Sequence, residues 1–408
     1  MNREKLEEKL REYHQEHLLL YYDKLDDKGK EALSAQIEKV DLNIAALIHK
    51  DNGLAGKGIV EPLSGMERKE INARRDEFEA AGIQAIQEKK VGAVLLAGGQ
   101  GSRLGCEGPK GKVNIGITRT LYIFEQLFQN ALQVVEKTGA WVPFYIMTSD
   151  KTHEETIEFL KENQYFGYQE DYITFFMQEM TPSVDYEGKL LMEAPDRLSL
   201  SPNGNGGWFS SMVKAGLLED VQSRGIEWLN VFAVDNVLQR IADPVFVGAT
   251  ILTGKDSGAK VVKKAEPGER VGVLCKKDGK PSIVEYYEMT PEMLHEKTPE
   301  GELSYSYGVI LNYLFKLDKL IHILNTNLPI HVAEKKIPYV TPDGEYIQPS
   351  EPNGYKFEEL VLDMIPLFED CLPFEVVREE EFAPIKNATG ADSPDTARAL
   401  LKLNGVIL

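Results

Sequence analysis

Glycines at 98, 99, 101, 105 and 108, with Arg103 and Lys110 among them, are the residues of this sequence best suited to chemistry. They fall in Val91-Gly-Ala-Val-Leu-Leu-Ala-Gly-Gly-Gln-Gly-Ser-Arg-Leu-Gly105 and Gly108-Pro-Lys-Gly111. A stretch without side chains lets a ligand approach the backbone closely, and consecutive N–H groups aimed at one point bind an anion. Arg103 can fork onto phosphate oxygens, while Lys110 acts as a point charge. A glycine loop with two cations, at the end of the apolar run Val94–Ala97, argues for a nucleoside triphosphate. The competing reading is a bare glycine turn, in which two cations would repel each other to no purpose.

Two commoner phosphate loops do not fit. The dinucleotide fingerprint needs a third glycine three positions beyond Gly-x-Gly, and Leu104 stands there. A P-loop needs Gly-Lys followed by Ser or Thr, whereas Gly111-Lys112 is followed by Val113.

The elements that must position this loop can be read from apolar spacing. Residues 2 to about 50 predict two helices, with Leu6, Leu10, Tyr13, Leu18 and Tyr22 on one face and Ile37, Val40, Leu42, Ile44 and Leu47 on another. A Gly- and Pro-bearing connection is expected over 53–68 and a helix over 70–89. From there strand-like runs at 91–97, 143–148, 172–177, 228–234, 258–263 and 271–275 alternate with helical stretches at 120–137, 152–163 and 207–224. Alternation of this kind predicts an α/β protein with a mixed, largely parallel sheet. Ligands in such sheets sit outside the carboxyl ends of the strands, where the glycine loop lies. The expected organisation is an N-terminal helical segment (1–88), a core (89–330) and a short C-terminal element (331–408).

Composition narrows the function classes. The 46 basic and 65 acidic residues give a net charge of −19, which speaks against a nucleic-acid partner. An acidic protein that binds a triphosphate must concentrate its cations locally and recruit a divalent ion. The start, Met1-Asn-Arg-Glu-Lys-Leu-Glu-Glu-Lys, lacks the apolar core of a signal peptide. No run of about 18 apolar residues suggests a membrane span. Cys106, Cys275 and Cys371 are too few and scattered for a disulfide framework or a zinc site. The expectation is a cytoplasmic protein with no membrane partner, its oligomeric state open.

Other candidates depend on where the elements deliver them. Asp235 follows the apolar run 229–234, so its carboxylate should project into the crevice as a ligand for Mg²⁺, which takes one or two carboxylates and several waters. The alternative is an Asp that caps the turn with Asn236. Pro202-Asn-Gly-Asn-Gly-Gly207 is a second glycine loop before a helix, suited to base or sugar recognition through its backbone and Asn205, or else a simple turn. Taken alone, Lys386 reads as a surface lysine, Gln178 as a strand end and Glu285-Tyr286 as part of an edge strand. No pair of histidines has ligand spacing, and no Ser–His–Asp or Cys–His arrangement is evident.

Eight segments in order resemble one family, the eukaryotic-type UDP-sugar pyrophosphorylases (UDPGP type 1), in particular the UDP-N-acetylglucosamine pyrophosphorylase branch. They are Leu96–Gly105, Pro202–Gly207, Val234-Asp-Asn236 with Ala242-Asp-Pro244, and Gly258-Ala-Lys-Val-Val262. Val284-Glu-Tyr286, His331–Pro338, Pro352-Asn-Gly354 and Arg378–Asn387 complete the set. The resemblance implies a Rossmann-like, GT-A-like nucleotidyltransferase core. It also implies the reaction of UTP with a sugar 1-phosphate to give a UDP-sugar and diphosphate. Leu96, Ala97, Gly98 and Gly99 would then hold the uridine part, with Gln178 and Gly204 reading uracil. Lys110 and Arg103 would contact the triphosphate, Asp235 would hold Mg²⁺, and Lys386 would reach phosphate oxygens. Asn205, Glu285 and Tyr286 would face the sugar.

The attacking phosphate oxygen is already an anion, so in-line displacement at the α-phosphorus requires no general base. Positioning and cations supply the catalysis. Three departures stand out. Ser306-Tyr-Gly-Val-Ile310 replaces the branch's Asn-Ala-Gly-Asn-Ile, Cys106-Glu-Gly-Pro-Lys110 looks like the glucose-specific sister branch, and only 22 residues follow Lys386. N-acetylglucosamine or a related hexose is the expected sugar. UDP-glucose synthesis and a non-catalytic nucleotide-sugar-binding regulator are the alternatives.

Overall fold

Strand β2 (Val91–Leu96) is buried at all six positions, as a strand covered on both faces must be. In the computed structural model, which describes residues 3–49 and 58–408, this strand lies inside a ten-stranded sheet. Its other strands are β1 (Val60–Pro62), β3 (Phe144–Thr148), β4 (Ile173–Met177), β5 (Trp228–Ala233) and β6 (Ser257–Lys263). The rest are β7 (Val273–Lys277), β8 (Lys280–Val284), β9 (Tyr307–Lys316) and β10 (Leu372–Glu375). The order is β1-β7-β9-β5-β2-β3-β4, with β8 on β7 and β6 between β9 and β10. Pairs β5–β2, β2–β3, β3–β4 and β6–β10 are parallel, whereas β9 runs antiparallel to β5, β6 and β7. The sheet is therefore mixed, with a parallel side formed by β5, β2, β3 and β4.

Register matters more than strand count. Ala233 faces Leu96, Leu96 faces Met147, and Thr148 faces Met177. The four parallel strands thus end at nearly one level, and Ala97, Ser149, Gln178 and Val234 all leave from one edge. Helix α5 (Ile123–Thr138) buries Phe124, Leu127, Phe128, Ala131 and Val134 and stops at Gly139, where φ is 69°. Helices α4 (Arg75–Gln87) and α9 (Pro244–Leu252) approach through glycines. A Cβ on Gly82 would overlap the Pro244 carbonyl, and one on Gly248 would overlap that of Phe78.

The expected strands form within two residues of their predicted limits. The helix expected over 207–224 is instead two, Trp208–Lys214 and Leu217–Ser223, because Gly216 takes φ of 79°. The helix expected over 70–89 breaks at Arg74 (φ −116°) into Arg68–Ala73 and α4. Of the connection expected over 53–68, residues 53–57 lie outside the described residues.

Contacts divide the chain differently from the three consecutive segments (1–88, 89–330, 331–408) expected from sequence. One compact unit gathers Met1–Ala55, Glu179–Gly207 and Leu328–Leu360, and the other takes Gly56–Gln178, Trp208–Asn327 and Val361–Leu408. The sheet above belongs to the second. In the first unit Leu6, Leu10, Leu18, Leu33 and Ile37 share a core with Val184, Leu190, Leu198 and Phe357. Gln15 ties this core down, donating to the Gly188 carbonyl and accepting from the Leu190 N–H. Local apolar spacing shows which faces are buried but not which distant segment buries them.

Gly82→Ala is expected to lower stability by about 1–3 kcal/mol, because the added methyl has only backbone to displace. Gly254→Ala, at φ of 66° in open space, carries only local backbone strain. An unchanged denaturation midpoint for Gly82→Ala would contradict the close crossing.

Candidate active site

The loop after β2 is closed by its own backbone. Gly101 donates to the Gly108 carbonyl at 2.9 Å, Lys110 to Gly99 at 3.1 Å and Cys106 to Gly101 at 3.2 Å. Gly105 and Gly108 have φ of 73° and 95°, a region L side chains rarely adopt. The loop's footing is Ser149, fully buried, whose hydroxyl donates to the Gly98 carbonyl at 2.8 Å. Leu96 and Ala97 are buried, Gly98 is half-buried and Gly99 is exposed, so the backbone surfaces where the strand ends. A Cβ on Gly98 would overlap the Gln178 carboxamide oxygen, while one on Gly99 would meet nothing within 4 Å. The two segments expected to hold uridine are therefore in contact.

Lys110 and Asp235 meet at the same edge. Lys110 Nζ lies 2.6 Å from Asp235 Oδ1, with side chains 11% and 35% exposed. The turn after β5 does not use the Asp235 carboxylate as a cap. Asn236 does that work, its Oδ1 accepting from Leu238 at 3.3 Å and from Ala383 at 2.8 Å. Asn236 Nδ2 also donates to the Glu381 carbonyl, and Ile385 donates its N–H to the Asp235 carbonyl at 2.9 Å. Residues 383–385 thus lie alongside 235–237 and bring Lys386, exposed, into the site region. Arg103 sits exposed on the short helical turn Ser102–Leu104 of the loop. Lys112 pairs with Glu155 at 2.5 Å beneath the loop, where Glu155 occupies the space a Gly108 side chain would need.

Glu285 and Tyr286 follow β8. Phe232 faces Asn312, so residues 307–310 of β9 continue past the end of β5, on the side where Asp235 emerges. A Cβ on Gly272 would lie 3.5 Å from both Glu285 Oε2 and Val309 Cγ2. Glu285, expected to face the sugar, is thus near β9, which contains Val309 and begins just after Ser306, the two positions where the resemblance expects asparagines. Tyr286 is exposed and stacks edge-on against Tyr287.

Gly204 and Asn205 belong to the other compact unit. Gly204 has φ of 88°, and a Cβ there would overlap the Glu359 carbonyl. Gly206 donates to the same carbonyl at 2.8 Å, so packing on the strand end at 358–359 accounts for glycine in this loop.

Sequence reasoning missed Ser149, Asn236 and a buried ionic cluster. Lys260 Nζ, fully buried, lies 2.9 Å from Asp243 Oδ2 and 2.6 Å from Glu381 Oε2. Burial opposes the charge on Asp243, yet Lys260 beside it holds that carboxyl below its ordinary range, whereas burial pushes Glu381 up. The signal was available, because a lysine inside the apolar run Gly258–Val262 cannot be buried unpaired. Among the described residues no three or more His, Cys, Asp or Glu side chains gather as a metal cluster. No described helix is long and apolar enough to cross a membrane.

Comparison with known proteins establishes the family. The family model described as UTP–glucose-1-phosphate uridylyltransferase matches residues 59–395. Mouse UDP-N-acetylhexosamine pyrophosphorylase-like protein 1 is 38% identical over 95% of this chain and 81% of its own length. UDP-N-acetylglucosamine diphosphorylase 2 of Arabidopsis thaliana is 37% identical over 97% and 82%. Among solved structures, the UDP-N-acetylglucosamine pyrophosphorylase of Trypanosoma brucei superposes with a TM-score of 0.81 at 29% identity, covering 97% of this chain and 83% of that one. A family model that matches most of the chain, with relatives 38% and 37% identical over nearly all of it, shows that this chain belongs to the UTP–glucose-1-phosphate uridylyltransferase family.

Proposed function

We propose that this protein transfers the uridylyl group of UTP to a sugar 1-phosphate, releasing diphosphate, with N-acetylglucosamine 1-phosphate or a related hexose phosphate as acceptor. The observation that carries this reading is the meeting of Lys110, Asp235 and the Lys386 segment beside an open glycine backbone. In the proposed reaction, an oxygen of the sugar phosphate forms a bond to the α-phosphorus of UTP. The bond from that phosphorus to the bridging oxygen breaks, and diphosphate leaves with the electron pair. No proton is abstracted, which agrees with a site that presents cations rather than a base.

The backbone at Leu96–Gly99 and the Gln178 carboxamide would hold the uridine part. Lys110, Arg103 and Lys386 would neutralise the phosphates. The site suits Mg²⁺ in one respect. Asp235 offers a single partly exposed carboxylate, and this hard ion binds nucleotides through one or two carboxylates with waters and phosphates. When bound, Mg²⁺ would offset charge on the diphosphate. Lys110, paired with Asp235 in the free protein, would then turn from carboxylate to phosphate. The roles of Gly204 and Asn205 rest on the family resemblance. Glu285 near Val309 supports the acceptor side, and loss of the two asparagines keeps glucose 1-phosphate as a second acceptor to test.

Diphosphate release from UTP and Mg²⁺ is expected with N-acetylglucosamine 1-phosphate in a panel with glucose, galactose and N-acetylgalactosamine 1-phosphates. A higher kcat/KM for glucose 1-phosphate would move the assignment to that sugar, and silence across the panel with UTP still bound would refute the transferase. Lys386→Ala is expected to reduce kcat by about 10²–10³-fold, the worth of one charged contact to the transition state, with the fold retained. Full turnover would remove Lys386 from the chemistry. Asp235→Asn is expected to abolish the Mg²⁺ dependence of UTP binding in a calorimetric titration, and an unchanged metal profile would place the ligand elsewhere. Burial pushes the thiols of Cys275 and Cys371 up to about 12, whereas Cys106 is half-exposed in the loop. An alkylating reagent at pH 7.5 should therefore label Cys106 first, and UTP should slow it. Labelling that UTP does not affect would put the nucleotide away from this loop.

A further inference from the structure

Lys260 touches none of the groups expected to meet substrate, yet it is buried at the junction of the two segments that deliver them. Its ammonium bridges Asp243 and Glu381, 2.9 and 2.6 Å away, and it has no exposed surface. Asp243 caps α9, accepting from the Val245 N–H at 3.1 Å, and so fixes the far end of the turn that begins at Asp235. Glu381 lies five residues before Lys386, and its carbonyl accepts from Asn236 at 2.7 Å. The tether continues with Ala383 on the Asn236 side chain and Ile385 on the Asp235 carbonyl. Arg240 joins from outside, 2.6 Å from Glu380 and 3.6 Å from Glu381.

Removing three charged groups from water is costly, and such a cluster is often no more stable than an apolar replacement. Its distinctive property is direction, because one ammonium between two carboxylates fixes both relative to a single point. The Arg378–Asn387 segment reaches β5 over some 145 residues of intervening sequence, and few apolar contacts could set its register so tightly. We propose that Lys260 is a positioning residue for the transfer reaction. It pins Glu381 to Asp243, and thereby sets where Lys386 stands relative to Asp235. This rests on the role given to Lys386 above.

The test combines kinetics with exchange. Lys260→Met removes the bridge, and Lys260→Met/Asp243→Asn/Glu381→Gln removes it without leaving buried charges unpaired. In either variant that folds, kcat is expected to fall by up to about 10²-fold, the effect of a displacement near 1 Å. KM for UTP should change much less. Adding Lys386→Ala should lower kcat no further than Lys386→Ala does alone, because the two act as one unit. Hydrogen exchange at the Ala383 and Ile385 amides should accelerate while β2 and β5 stay protected.

Wild-type kcat in a folded variant would overturn the proposal. So would losses that multiply with that of Lys386→Ala, or exchange at 383–385 that does not change. Failure of both variants to fold would make Lys260 a determinant of the fold rather than of position, which also overturns it. Full activity of Lys386→Ala itself would instead refute the role of Lys386, a result separable from all of these.

Discussion

Leu96, Thr148, Met177 and Ala233 end four parallel strands at one level, and the glycine loop, Ser149, Gln178 and Asp235 take their places from that shared edge. A parallel sheet places the carboxyl ends of its strands together, so chain that leaves them emerges into one crevice. Here the glycine loop, Ser149, Gln178 and Asp235 emerge side by side. Hydrogen bonds then lock the neighbours, Ser149 to Gly98 and Gln178 to the Thr148 carbonyl. Site geometry is inherited from strand register, and loop sequence decorates it.

The second constraint is electrostatic. A chain of net charge −19 repels polyphosphates at long range, so attraction must be local. Lys110 is mostly buried and already paired, Lys112 is held by Glu155, and Arg103 and Lys386 are exposed. Two of these cations are thus exposed and two are held by carboxylates. The pairing keeps Lys110 oriented, which in the proposed reaction would limit the reorganisation needed to meet a phosphate.

Much of this was legible in the sequence, for identifiable reasons. The glycine loop and Asp235 were visible because apolar runs mark strands and the residues after them mark the edge. Gln178 and Lys386 read as bland when taken singly, since their partners, Gly98 and the Asp235–Asn236 turn, lie 80 and about 150 residues away. Local sequence shows Asn236 only as a turn residue, yet its amide binds a distant segment through both its atoms. Local spacing does not show that Leu6 and Phe357 share a core, because their segments lie far apart in the chain. The break at Gly216 was missed because a single glycine inside an amphipathic run is tolerated often enough to be overlooked.

The tether between Asn236 and residues 381–383 spans 145 residues, which has a consequence for how the protein is made. At about 5–20 residues per second, synthesis leaves roughly 7–30 s between the emergence of Asn236 and that of its partner. During that interval the strands bearing the glycine loop and Asp235 can already pair, while the carboxylate that shares Lys260 with Asp243 has not yet been made. The ionic cluster can close only when the Arg378–Asn387 segment docks, and Lys386 arrives with that segment.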